Sequence, residues 1–218
     1  MANKKIAGLI LTSGMLLALV SLSYSSVPLW SRVIVSWPNV AKAAAKDIVD
    51  KYGPPDDVTS DQLFWSNQGP FVSIVVHGME VEHNFPEPHQ DILEMAIAYH
   101  VPPTRYNKLA EFDGSIVALR TKGLLVASCL NEPLIILTLN LANDVIIGKK
   151  TPAQARTAFA EIDQGLMKGE KNPYTDSLQF KVLPIDQTRD PDKAIALKKP
   201  KEIKKPTEKK KSEEMKKK

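Results

Sequence analysis

The stretch QLFWSNQGPFVSIVVH, residues 62–77, decides the fold class of this chain. Its middle, Asn67-Gln68-Gly69-Pro70, has the composition of a tight turn and separates two short runs rich in aromatic and β-branched residues. Alternate residues of the second run share one face, as in a half-buried strand. The stretch therefore predicts a β-hairpin with strands at 62–66 and 71–77, and so an antiparallel sheet.

A second hairpin is predicted farther along, with strands at 115–120 and 124–129. An extended piece at 80–85 follows a turn at Gly78, and helices surround the two hairpins. The predicted helices cover 40–51, 89–99, a segment from Pro102-Pro103 to 112, 133–147 and a segment opened by the capping box at Thr151. We expect an α+β fold, in which about five helices pack on a small antiparallel sheet of two hairpins.

The periodic patterns divide the chain into four parts. Residues 39–168 form the predicted globular domain, and residues 26–38 precede it as a linker. From residue 169 the apolar periodicity dissolves, apart from a possible extended piece at 178–183. Because such a composition buries too little apolar area to offset the entropy of ordering, residues 169–218 are predicted to be mostly a disordered, lysine-rich tail.

Charge is segregated along the chain. Residues 193–218 contain twelve lysines and four glutamates, a net charge of +8. Residues 39–168 contain eleven basic and sixteen acidic residues, a net charge of −5. The pI of about 9.0 therefore describes a basic tail on a mildly acidic domain. This distribution argues against nucleic-acid binding by the domain, because phosphates require a cationic surface.

The first 25 residues have the parts of an export signal. Lys4 and Lys5 precede an uncharged apolar run at 6–20, and small polar residues follow it. This run is short for a membrane span, so a cleaved signal peptide is favoured over an uncleaved signal anchor. No cysteine follows the run, which excludes a lipoprotein anchor. Both alternatives place the domain in the periplasm or at the outer face of the inner membrane.

Several blocks of the domain form one ordered pattern, among them 63–71 (LFWSNQGPF), 83–89 (HNFPEPH), 112–115 (FDGS) and 139–144 (LNLAND). Together these blocks resemble a group of small exported bacterial proteins whose function is unassigned. The resemblance covers roughly residues 40–165. It implies one cell-envelope domain of this extent, and it implies no activity and no catalytic residues.

All four histidines fall within 24 residues, between His77 and His100, among several acids. A divalent transition metal is the candidate cofactor, because imidazole and carboxylate groups are its usual ligands. The predicted helix 89–99 would place two acids, three residues apart, on one face near its start. The candidate ligands are His83, His89, Asp91 and Glu94. Two alternatives stay open: histidines that only pack or are solvated, and a protonation switch.

A partner-binding groove is the second candidate site. Aromatic and proline side chains can line a groove for a peptide, and an exposed strand edge can accept another strand. The candidate residues are Trp65, Phe71, Phe85 and Pro86. The alternative is that the aromatic residues form part of the core. The lysine-rich tail is expected either to contact anionic lipid or lipopolysaccharide, or to be a solvated extension.

The sequence favours a non-catalytic envelope protein that binds a protein partner in an accessory or assembly role. The first alternative is a metal- or small-ligand-binding protein that uses the His/acid residues. The second alternative is a hydrolase without a recognisable motif. It has little support, since the chain contains no GxSxG motif and no glycine-rich phosphate loop. The single cysteine, Cys129, lies in an apolar run and is expected to be buried and unreactive.

Overall fold

A six-stranded sheet lies at the centre of the computed structural model, which describes residues 27–195. Its strands are β1 (Asp57–Val58), β2 (Gln62–Gln68), β3 (Phe71–Asn84), β4 (Pro88–Ala98), β5 (Ile116–Leu119) and β6 (Leu124–Cys129). Their spatial order is β1-β2-β3-β4-β6-β5, and each neighbouring pair is antiparallel. Both predicted hairpins, β2–β3 and β5–β6, are present. The predicted α+β class is confirmed.

Six α-helices surround this sheet within the described residues. They are α1 (Leu29–Val33), α2 (Asn39–Tyr52), α3 (Tyr106–Phe112), α4 (Glu132–Ile146), α5 (Pro152–Met167) and α6 (Pro173–Asp176). Short 3-10 turns lie at Ile34–Ser36, Pro103–Arg105, Arg120–Lys122 and Ile185–Gln187. The predicted capping box is present at the start of α5, where the Thr151 side chain accepts from the backbone N–H of Gln154.

One face of the sheet forms the core. Trp65, Ile74, Met95 and Ala127 are aligned across four strands, and all four are fully buried. The central helix α4 packs against this core and buries thirteen of its fifteen residues. Its all-round apolar character is what the sequence predicts for a core helix.

The predicted helix at 89–99 is wrong, because this segment forms β4. Its last five apolar residues, Leu93, Met95, Ala96, Ile97 and Ala98, are buried although they alternate between the two faces of the sheet. A strand buried on both faces shows no alternation in its sequence, so its apolar run resembles that of a buried helix. The segment 85–87 is therefore the turn between β3 and β4.

The turn predicted at Gly78 is also absent, because β3 continues through it to Asn84. The pairing of β3 with β4 shifts between Val76 and Val81, which marks a bulge. Gly78 lies against the indole of Trp37, and a Cβ atom there would come within 2.6 Å of that ring. Glycine is required at this position because the Trp37 ring leaves no room for a Cβ atom, and not because the chain turns here.

Residues 27–38 of the predicted linker, 26–38, are part of the fold. They contain α1, and Ile34 and Trp37 are buried in the core. The Trp37 indole N–H donates a hydrogen bond of 3.0 Å to the carbonyl of Ser60. The linker prediction is wrong because one aromatic anchor can hold a segment that shows no periodicity of its own.

The prediction of disorder is wrong for residues 169–195, which pack on the domain. The side-chain amide of Asn140 donates to the carbonyls of Tyr174 and Ser177, and its oxygen accepts from the N–H of Gln179. Farther along, the Thr188 hydroxyl donates to the carbonyl of Gly123 at 2.8 Å. Backbone hydrogen bonds to buried polar groups hold this segment, and such bonds leave no apolar pattern in the sequence.

Residues 1–26 and 196–218 lie outside the described residues. They include the predicted export signal and nearly all the lysines of the predicted tail. Among the described helices, none is both long and apolar enough to cross a membrane.

Candidate metal centre

The β3–β4 hairpin brings three of the predicted ligands together. His83 and His89 are direct cross-strand partners, and their ring centroids are 5.0 Å apart. Asp91 lies two residues after His89, so it shares the same face of the strand. One ligand atom from each residue lies within 4.8 Å of the other two. We call these three residues the His–Asp cluster.

Asp91 is the most buried member of the cluster, with a side chain only 9% exposed. Its Oδ2 accepts a hydrogen bond from the Ser115 hydroxyl and lies 3.5 Å from His83 Nδ1. Its Oδ1 is buried, accepts no hydrogen bond and lies 3.2 Å from His89 Nε2. That separation is typical of an ion pair with a protonated histidine. A metal ion bound here would take the place of the proton on His89 Nε2.

One backbone carbonyl and two side chains surround the His89 ring. Its Nδ1 lies 2.9 Å from the carbonyl oxygen of Glu87, so Nδ1 carries a hydrogen and donates it. Its Nε2 faces Asp91 and lies 3.5 Å from Cys129 Sγ. The Asp91 carboxylate, with a smaller contribution from Cys129, raises the pKa of His89 to about 11. A backbone acceptor at Nδ1 is the usual arrangement behind a histidine that ligates metal through Nε2.

Three further residues surround the cluster. Asp113 and Ser115 come from the turn before β5, and Asp113 Oδ1 accepts from the N–H of Ser115 at 2.8 Å. Asp113 Oδ1 also lies 3.6 Å from His83 Nε2. Burial raises the pKa of the Asp113 carboxyl, and the nearby Asp91 adds to the effect. Burial likewise raises the pKa of the Cys129 thiol, as expected for an unreactive buried cysteine.

A cavity of about 470 Å³ opens beside the cluster. It lies between the β3–β4 turn, the start of α4 and the end of α5, and His89 belongs both to its wall and to the cluster. Its lining residues are Pro86, Glu87, Pro88, His89, Leu130, Asn131, Pro133, Leu134, Asp163, Leu166 and Met167. Asp163 is only 8% exposed. Burial, followed by the nearby Glu87, raises the pKa of Asp163.

The fourth predicted ligand, Glu94, lies away from the cluster. The prediction placed Asp91 and Glu94 on one face because residues three apart share a face of a helix. In a strand they lie on opposite faces. Glu94 is aligned with Val75 and Ser128, which belong to the sheet face opposite the core.

The candidate groove residues lie mostly in the core. Trp65 is fully buried, Phe71 is 3% exposed and Phe85 is 9% exposed. Phe85 packs 5.3 Å from Phe159, centroid to centroid, with the guanidinium of Arg156 stacked 3.7 Å above its ring. Pro86 lines the cavity. These four residues therefore do not form an open groove, and their aromatic rings serve the core.

The sequence did not reveal the residues that complete this region. Asp113 and Ser115 lie in a turn-like stretch, Cys129 lies in an apolar run, and no sequence motif singles out Asp163. Each reaches the cluster or cavity through strand pairing or helix packing across the domain. Of the other two histidines, His77 contacts Gln62 at 3.2 Å, and His100 lies in the exposed loop after β4.

Comparisons with known proteins identify no relative of this chain. No protein-family model matches it, and neither a curated protein nor a solved structure matches it significantly. Functional inference therefore depends on the geometry of the His–Asp cluster and of the cavity beside it.

Proposed function

We propose that this protein binds a divalent transition metal, with zinc the best match, through His83, His89 and Asp91. One observation carries the proposal: the three ligand atoms lie within 4.8 Å of one another, and one oxygen of the buried Asp91 has no hydrogen-bond partner. Zinc takes nitrogen and oxygen ligands at roughly 2.0–2.2 Å, which puts tetrahedral ligand atoms about 3.4 Å apart. The spacing supports this coordination after only small side-chain adjustments.

The electrostatics of the site support a cation. Asp91 and Asp113 are two buried carboxylates; His83 lies near both, and His89 lies near Asp91. The nearest guanidinium, that of Arg156, donates to the Phe112 carbonyl at 2.7 Å and stacks on Phe85. Buried carboxylates are stable when a cation or several donors compensate them. A divalent ion would supply that compensation.

The ligand number favours an open site. Three protein ligands leave the fourth position of a tetrahedral ion for water or a substrate, as in catalytic zinc sites. The cavity beside His89 gives such a position access from outside. This arrangement supports a metal site that exchanges a ligand rather than one that only stabilises the fold.

Nucleophilic hydrolysis has weaker support. Ser115 lies near His83, and His83 lies near Asp113, as the members of a catalytic triad would. The Ser115 hydroxyl donates its hydrogen to Asp91, so it is not directed at His83 Nδ1, 3.2 Å away. The 3.6 Å between His83 Nε2 and Asp113 Oδ1 exceeds normal hydrogen-bond length. An activated serine requires both interactions to be well formed.

We also propose that the domain acts outside the cytoplasm, supported by Lys4, Lys5 and the apolar run at 6–20. The accessory role with a protein partner stays a prediction, as does contact between the tail and anionic lipid or lipopolysaccharide. Burial of Trp65, Phe71 and Phe85 removes one argument for a peptide groove. Metal binding is therefore the proposal to test first.

The test is elemental analysis of the full chain, purified without a metal-affinity column, followed by zinc titration against a chromophoric chelator. We expect one metal per chain. The variants His83→Ala and His89→Ala should each lose on the order of 100-fold in affinity or more, because even residues behind metal ligands contribute about 10–100-fold.

The matched control is a His77→Ala/His100→Ala double variant, which removes two histidines outside the cluster and should bind as the parent does. Circular dichroism confirms that each variant is folded. Equal affinity of the parent and His89→Ala proteins, or a folded parent that binds no metal, would overturn the proposal.

A further inference from the structure

The cavity beside the cluster has the size and composition of a small-molecule site. Its volume of about 470 Å³ lies within the usual range of roughly 300–1,000 Å³ for such sites. Its walls are mainly apolar, from proline and leucine side chains and Met167, with a few polar groups among them. An occupant therefore needs an apolar body and only a few polar atoms.

Asp163 is the polar group that defines the site. It lies on α5, is 8% exposed and lines the cavity. Among the described residues no side chain or backbone group forms a hydrogen bond or ion pair with it. Most of the Asp163 residue is buried, while its carboxylate oxygens keep contact with the solvent that fills the cavity. A cationic group in the cavity could therefore pair with this carboxylate without breaking an existing contact.

The other charges around the cavity indicate the sign of that partner. Glu87 lies at the exposed mouth, and the described lining includes no lysine or arginine. His89 is paired with Asp91 on the other side of its ring. Although the start of α4 borders the cavity, the Asn131 side chain already accepts from the N–H of Leu134 there. Even with His89 protonated, the carboxylates of Asp163 and Glu87 leave the lining with a net negative charge, which favours a cation.

We propose that this cavity binds a small organic cation, an amine with a short apolar body. Its ammonium group would contact the Asp163 carboxylate, with Glu87 contributing at the mouth. Its apolar body would pack on Leu134, Leu166 and the proline side chains. Asp163 is not one of the three proposed metal ligands, although His89 belongs both to the cluster and to the cavity wall.

The experiment compares three probes of similar size on the full chain: hexylamine, hexanol and hexanoate. Binding is followed by chemical shifts in ¹⁵N-labelled protein, at one pH near neutrality, with metal content measured in the same samples. We expect saturable 1:1 binding of hexylamine at the cavity. Hexanol and hexanoate should bind at least about tenfold more weakly, because losing a charged contact costs about 1.4 kcal/mol or more.

Two variants of α5 locate the effect. Asp163→Asn keeps the shape and removes the charge, and it should weaken hexylamine binding at least about tenfold. Glu161→Gln removes the same charge from an exposed position two residues away on the same helix and should leave binding unchanged. Equal binding of hexylamine and hexanoate, equal effects of the two variants, or no saturable shift at the cavity would each overturn the proposal, whatever the metal content.

Discussion

Asp144 and Asp91 are both buried carboxylates, but only Asp144 has a cationic partner or a hydrogen-bond donor at each of its oxygens. Asp144, near the end of α4, is 3% exposed and contacts Lys149 Nζ at 3.1 Å and Lys150 Nζ at 3.3 Å. The hydroxyl of Tyr174 donates to it at 3.0 Å. Asp91 is nearly as buried, yet one of its oxygens accepts no hydrogen bond and its neighbours are other titratable groups.

The difference separates a structural site from a candidate functional one. At Asp144 every oxygen has a cation or a hydroxyl, so nothing further is needed there. At Asp91 the protein holds ligand atoms from two histidines and a carboxylate close together, and one oxygen of the carboxylate accepts no hydrogen bond. The His–Asp cluster should therefore respond to metal, whereas the Asp144 site should not.

The largest expected effect is metal-dependent stability. At a zinc concentration about 1,000-fold above the dissociation constant, the parent should gain about 4 kcal/mol in free energy of unfolding. Asp91→Asn should lose most of that gain, because a neutral amide is a poor zinc ligand. Urea unfolding with and without zinc measures both values, and an equal gain in the two proteins would remove Asp91 from the site.

The next effect is structural. Asp144→Asn should lower the free energy of unfolding by about 2 kcal/mol, whether or not zinc is present, because its three contacts are lost. The cost stays below that of a fully buried pair, since the side chains of Lys149 and Lys150 are 54% and 28% exposed and can return to water. Urea unfolding provides the measurement, and a zinc-dependent cost would contradict the distinction between the two sites.

A smaller effect is expected from pH in the metal-free protein. The folded-state pKa of His89, about 11, lies above its ordinary value of about 6.5. Its stabilising contribution is therefore complete below about pH 6.5 and is lost as pH rises toward 11. With a chelator present, the free energy of unfolding should therefore be lower at pH 9 than at pH 7. His89→Gln should flatten this slope, and a parent-like slope in that variant would contradict the assignment.

The smallest effect concerns Asp163, a third buried carboxylate, which has no partner among the described residues. Because burial raises its pKa, its ionised form costs stability at neutral pH and that cost disappears as pH falls through the raised pKa. Asp163→Asn should therefore raise the free energy of unfolding by about 1 kcal/mol at pH 7. Thermal unfolding beside Glu161→Gln provides the comparison, and destabilisation by Asp163→Asn would indicate a structural role instead.

The sequence was most informative where structure is local. The turn at 67–70, the capping box at Thr151 and the apolar helix α4 were all predicted close to where they occur. Three of the four candidate ligands lie together in the structure, and the sequence indicated them because histidines and acids are crowded within a short stretch. The fourth, Glu94, failed because the period of β4 was misread as helical.

What only the tertiary structure decided is which segments meet. Pairing of β3 with β4 places His83 opposite His89, and β6 adds Cys129 beside them. Burial of residues 27–38 and 169–195 depends on single anchors such as Trp37 and Asn140. The sequence alone determined the local periods, turns and caps, because these depend on neighbours along the chain. The cluster and the cavity depend on contacts between segments that are separate in the sequence. Local patterns do not specify these contacts, and the misassigned strand β4 placed Glu94 wrongly.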